Sequence, residues 1–321
     1  MEVDLLLVPY DSGLRATRMG RGPARLVESG LIEGLARAGS RGRIHSLETQ
    51  RLESRSEVPA EIATTFELAR RLSEAVAAAW DAGRLPTVLA GNCFSALGTV
   101  AGLGAGATAV IWFDAHGDLN TPSTTTSGFL DGMALATLMG YAWDAMARAV
   151  PGYSPVAATD VLLVGARDLD PPEVEALAAW GIHHVSVEQL RKAGPAAFMA
   201  EVASAFGPWV DRAYIHVDLD VLDPAEGRAN HLSVPGGLTA AEVVEAIEGV
   251  GQHLHLGALG LTSYDPAVDP SRAIPEAAGQ ILRGFVRAAD DQSDDIRLRP
   301  DSPVHRGGPK RPPPPPEPTA E

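Results

Sequence analysis

Asp114, His116 and Asp118 occupy alternate positions in VIWFDAHGDLNTP, directly after an apolar run. In an extended chain, side chains two apart leave on one face, so this spacing predicts that two carboxylates and an imidazole converge at the end of a strand. A second set stands in YIHVDLDVLDP, where Asp218 and Asp220 share a face and Asp223 follows in the turn before Pro224. Carboxylates gathered this closely repel one another unless a cation lies between them. Oxygen donors with a single imidazole suit a fairly hard ion such as Mn²⁺, and this number of carboxylates suits one or two ions sharing bridging oxygens. The chemistry predicted is hydrolysis through a metal-activated hydroxide formed near neutral pH.

To bring both sets together, the chain needs strand ends that lie side by side. Eight short β-rich runs fill that need: VDLLLVP, GRIHSLE, PTVLAG, ATAVIWFD, DVLLVGA, IHHVSV, AYIHVDLD and LGALGLTSY. Between them run helical candidates, among them residues 59–83, 171–181, 190–206 and 239–251, several closed by the glycine that helix ends favour. Strands alternating with helices predict a three-layer α/β/α sandwich around a mainly parallel sheet of about eight strands. In such sheets ligands bind at the carboxyl ends of the strands, where both acidic motifs fall. Residues 1–289 are read as one α/β domain. From Asp290 onward the chain is charged and proline-rich with few apolar residues, which predicts a disordered, partly polyproline tail over 290–321.

Composition narrows the function. The formal charge of -15, with 26 Lys and Arg scattered among 41 acids, offers no basic stripe for nucleic acid. Cys93 is the sole cysteine, so an intrachain disulfide and a Cys-rich zinc framework are both excluded. The N-terminus lacks the features of a signal peptide and no apolar stretch approaches about 18 residues, which fits a cytoplasmic protein without membrane contact.

DAHGDLN and HVDLDVLDP together resemble the two metal motifs of the ureohydrolases, the family of arginase, agmatinase and formimidoylglutamase. The likeness spans most of residues 1–289 and includes the Gly-Pro segment near Gly22, the TSGFLDGMAL loop and VGARDLDPPEVEAL. It implies the arginase/deacetylase-like fold and hydrolysis of a C–N bond in a linear amidine or guanidino compound. Carried over residue by residue, it makes Asp114 and Asp218 bridging ligands, with His116 and Asp220 on one ion and Asp118 on the other. It further implies that Asn120 and Ser127 meet a substrate carboxylate and Asp170 an ammonium, as for an amino-acid-like substrate. A homo-oligomer, trimer or hexamer, is also implied.

Three positions depart from the family pattern. Cys93 stands where a ligand histidine is usual, and is read as a softer ligand, a small buried apolar residue or a nucleophile. Asp131 replaces a loop histidine and is either an acid–base group or a helix N-cap. Ser263 replaces the glutamate that matches a guanidinium. The cysteine with NTPSTTTSG resembles an N-hydroxy-arginine amidinohydrolase more than arginase itself. The same departures also suit a catalytically impaired binding or regulatory protein. His216, two residues before Asp218, reads as a satisfied core histidine, and His183, His184, His253 and His255 as structural or surface residues.

Overall fold

The computed structural model describes residues 1–49 and 57–297. Strand β6 (Thr108–Phe113) shows why this sequence builds layers, since all six of its residues are buried. Ala109, Ile111 and Phe113 enter one apolar layer, while Val110 and Trp112 enter the other. A strand apolar at every position has to be covered on both faces, and helices supply the cover. Residues 22–28, 31–37, 187–204, 240–251 and 273–297 lie on the first side, and residues 57–81, 95–103, 134–138 and 171–180 on the second.

The remaining strands are β1 (Glu2–Val8), β2 (Tyr10–Asp11), β3 (Leu14–Arg15), β4 (Arg41–Ser46), β5 (Leu85–Ala90), β7 (Val161–Val164), β8 (His183–Val185), β9 (Arg212–Asp218) and β10 (His255–Thr262). Eight of the ten form one sheet in the order β4-β1-β5-β10-β9-β6-β7-β8, and β2 pairs with β3 as a separate small hairpin. Each pairing within the large sheet is parallel. The eight strands expected from the sequence are these eight, and the three-layer sandwich is the fold observed.

Chain order explains where a site can form. After β5 the chain skips two places to β6 and builds outward, then returns to fill the gap with β9 and β10. The carboxyl ends of β5, β10, β9 and β6 therefore open side by side onto the crevice that such a reversal creates.

Helix boundaries follow local chemistry. The helix Pro171–Trp180 starts at the N-cap Asp170 and stops before Gly181, which takes φ 71°. Thr239 caps Ala240–Gly251, with its side chain accepting from the Glu242 N–H. The single helix expected over 190–206 is instead two, Val187–Ala193 and Pro195–Ser204. Gly194 at φ 82° and a proline lacking an N–H interrupt the ladder between them. The last helix, Ala273–Arg297, carries on past Asp290, so the expected domain boundary there lies inside a helix. The rest of the expected tail, 298–321, falls outside the described residues. Among the described residues no helix is long and apolar enough to cross a membrane.

Candidate active site

The two acidic motifs converge, but by a turn rather than by continued strand. Strand β6 ends at Phe113, and the Asp114 side chain then accepts the N–H of His116 at 2.7 Å. After β9 the Asp218 side chain likewise accepts the N–H of Asp220 at 2.9 Å. Each D-x-H or D-x-D spacing is thus a carboxylate closing a tight turn on its own backbone, which ends the extended conformation assumed from the sequence. Asp118 lies further along the first loop at φ 50°, a left-handed backbone that aspartate tolerates better than most residues.

The turns bring His116 Nδ1 to 3.3 Å from Asp114 and 3.4 Å from Asp220. Asp114, His116 and Asp220 offer donor atoms all within 4.8 Å of one another, a spacing that could hold an ion. Beside them Cys93, after β5, places Sγ 2.9 Å from Asp218 Oδ2, 3.1 Å from Thr262 Oγ1 and 3.3 Å from Ser263 Oγ. Asp118 Oδ2 is buried with no hydrogen-bond partner. Asp223, the third acid of the second motif, is not in the cluster: its side chain accepts from Ala225, Gly236 and Gly237 and holds a loop closed.

Charge inside this pocket is out of balance without a cation. Burial, then neighbouring carboxylates, push Asp118 and Asp218 well above the usual carboxylate range. Burial also raises Asp114. Although burial opposes it, His116 is pushed up to about 12 by Asp114 and Asp220. Asp220 is held below its ordinary value against its own burial by His116 and Asn230. Burial raises the Cys93 thiol, and Asp218, Asp131, Asp118 and Asp114 raise it further.

Beneath the cluster, Trp112 Nε1 donates to Asp114 Oδ2 at 3.0 Å and its ring stacks on His216 at 3.7 Å. His216 Nδ1 is 2.8 Å from the Tyr214 hydroxyl, and burial lowers its pKa to about 3. The satisfied core histidine read from the sequence is what stands there, although its ring also lies within ligand distance of Cys93 and Asp114.

A cavity of about 500 Å³ opens above. It is lined by the clustered Cys93, His116, Asp118, Asp218 and Asp220, by Asp131, and by Asn120, Ser127 and Asp170; Asp114 is not part of the lining. Asn120 donates to Asp170 at 2.9 Å, so two of the three expected substrate contacts are already joined. Asp170 is both site residue and helix cap, its N–H donating to Glu173. Asp131 opens a short 3₁₀ turn but does not cap it. Its oxygens instead accept from Phe94 N at 2.8 Å and Asn92 Nδ2 at 2.9 Å, and burial lifts its pKa to about 7.

A family model described as the arginase family matches residues 1–286. The chain belongs to the arginase family. It is 30% identical over 282 residues to the arginase of Bacillus caldovelox, covering 83% of this chain and 92% of that one. The arginase of Brevibacillus brevis is 34% identical over 248 residues, or 73% and 80% of the two chains. The solved Bacillus caldovelox arginase superposes with a TM-score of 0.79 at 27% identity, covering 88% and 97%. A formimidoylglutamase of Bacillus subtilis, at 18% identity and TM-score 0.69, shares the fold.

The arginase family is metal-dependent, and the residues present fit a divalent cation. The orphaned Asp118 oxygen, the crowding of buried carboxylates and the donor atoms of Asp114, His116 and Asp220 within 4.8 Å of one another are what suits such an ion. Three features of this arginase-family site had escaped the sequence reading. Asn230 donates to Asp220 Oδ2 and to the Ser263 carbonyl, each at 3.0 Å. Asp11 of the small hairpin and its partner Arg18, in the 3₁₀ turn that follows it, line the cavity as well. Glu173 accepts the Leu119 N–H at 3.0 Å and braces the ligand loop. Asn230 lies in a loop with neither periodicity nor motif; the arginine-rich segment around Arg18 was a signal that could have been followed.

Proposed function

We propose that this arginase-family hydrolase cleaves a C–N bond of a guanidino or amidino compound bearing an amino-acid end. The observation that carries the reading is the buried acid cluster with its unpartnered Asp118 oxygen, set in a cavity that Asn120, Ser127 and Asp170 also line. Asp114 and Asp218 would bridge, His116 and Asp220 would hold one Mn²⁺, and Asp118 with Cys93 would hold a second. When bound, such an ion supplies the Lewis acidity that makes water nucleophilic near neutral pH.

The chain's own side chains do the rest. Asp131, whose pKa burial lifts to about 7, carries a proton to the departing nitrogen. Asn120 and Ser127 meet the substrate carboxylate and Asp170 its ammonium. Ser263, held beside Cys93, offers a hydroxyl where a guanidinium would want a carboxylate. A hydroxyl suits a less basic head group, which favours an N-hydroxy-arginine type of substrate over plain arginine.

The test is urea and hydroxyurea release from a panel of guanidino and N-hydroxyguanidino amino acids by the Mn²⁺-equilibrated chain, beside Asp118→Ala. Turnover that disappears in the variant supports the reading. Silence across the panel, with metal bound, points to the impaired binding or regulatory protein instead. Size measurement of the same sample tests the proposed homo-oligomer.

A further inference from the structure

The cavity is strongly one-signed. Nine carboxyl side chains line it, and among the described residues Arg18 is the single Lys or Arg that does. A substrate carboxylate entering this space meets repulsion that two divalent ions would offset only in part. The neutral donors are only partly engaged, since Asn120 gives one amide hydrogen to Asp170 and keeps a second, and the Ser127 hydroxyl, which accepts from Phe129 N, keeps its hydrogen; both can meet a carboxylate, but neither brings a charge to offset the acids.

Arg18 is built for the missing role. Its Nη2 donates to Oδ1 of the buried Asp11 at 3.0 Å, and Nε lies 2.8 Å from Oδ2 as an ion-pair contact. Nη2 also reaches Ser12 Oγ at 3.0 Å. That grip fixes the plane of the guanidinium while its side chain stays 59% exposed, leaving Nη1 without a protein partner among the described residues. Ser12, Ala16 and Arg18 adopt φ of 49°, 54° and 40°, left-handed values that cost free energy in non-glycine residues. The strained hairpin is tied to the acid cluster, because Ser12 N donates to Asn92 Oδ1 at 3.0 Å and Asn92 Nδ2 donates to Asp131.

We infer that Arg18, oriented by Asp11, anchors the substrate's carboxylate and so selects guanidino amino acids over decarboxylated guanidino amines. The inference rests on the proposed function for its substrate class. A guanidinium–carboxylate contact freed of water is strong enough to change binding by about ten- to hundredfold.

Calorimetric titration of the Mn²⁺-loaded full chain with L-ornithine and 1,4-diaminobutane tests it, since the two differ by one carboxylate. The expected result is tighter ornithine binding by the wild type. Arg18→Met lowers ornithine affinity about ten- to hundredfold and leaves the diamine within about twofold. Because Arg18→Met strands a buried Asp11, the double variant with Asp11→Asn is measured alongside and gives the same selectivity loss. Arg18→Lys falls between, having charge without the planar fork. No ornithine preference in the wild type, or equal effects of Arg18→Met on both ligands, overturns the inference. A wild type that prefers ornithine yet releases urea from no guanidino compound would sink the hydrolase reading alone.

Discussion

Asn230→Ala is the sharpest probe of how the acid cluster is held. Asn230 is 2% exposed and makes three hydrogen bonds: to Asp220 Oδ2 at 3.0 Å, to the Ser263 carbonyl at 3.0 Å, and from Leu232 N at 2.8 Å. A bond to a charged group contributes about 1.5–3 kcal/mol and each neutral one about 0.5–1.5 kcal/mol. Water entering the vacated polar space recovers part of that sum, leaving an expected loss of about 3 kcal/mol. Such a loss is a large share of the roughly 5–15 kcal/mol that typically stabilises a domain. Urea denaturation of chelator-treated protein gives the number directly, free of any contribution from bound metal. The same variant should bind Mn²⁺ about ten- to hundredfold more weakly, because Asp220 loses the partner that orients it. A stability change below about 1 kcal/mol with unaltered metal affinity would refute the claim that Asn230 fixes Asp220 against the β10 loop.

Asp118→Asn should raise the stability of the metal-free protein by about 1 kcal/mol, since it relieves a buried, crowded carboxylate, while elemental analysis finds less metal per chain; a destabilised metal-free variant would contradict this. At Gly91 an added Cβ would lie 2.2 Å from the Tyr10 carbonyl oxygen and 2.8 Å from Gly20 N. Gly91→Ala should therefore cost about 2–3 kcal/mol in urea denaturation, and near-neutral behaviour would show that the hairpin shifts freely. In metal-free protein the Cys93 thiol, raised by burial and four carboxylates, should stay protonated and unlabelled by a disulfide reagent at pH 8 until the chain unfolds; prompt labelling of native protein would overturn that placement.

The sheet was legible because its strands are buried on both faces, leaving uninterrupted apolar runs such as TAVIWF, whose short length and β-branched and aromatic content separate them from the helices where periodicity alone could not. The two acidic motifs were legible because carboxylates gathered this closely are costly to bury without a cation. Their geometry was not, since a carboxylate turning back onto an N–H two residues on has the same spacing as an alternating strand. The break at Gly194 and Pro195 was readable in principle, and the sustained helical pattern on either side hid it. Asn230 and Glu173 were out of reach because what makes them matter is a partner 10 and 54 residues distant in sequence, whereas Arg18 stood in a legible basic segment and only its place on the cavity wall was not.

The register of β6 against β9 has a consequence for how the site tolerates change. Trp112 pairs with His216 and Phe113 with Val217, so Asp114 and Asp218 emerge level from neighbouring parallel strands. Their separation is governed by the inter-strand spacing of about 4.8 Å, a quantity that main-chain hydrogen bonds hold nearly constant. The backbone thus acts as a ruler for the ligands. The fold itself is kept at 27% and 18% identity to related solved chains, so the sheet that sets this spacing tolerates extensive change in sequence. Loss of that distance would require a register slip, which would turn every buried side chain of the strand to the opposite layer.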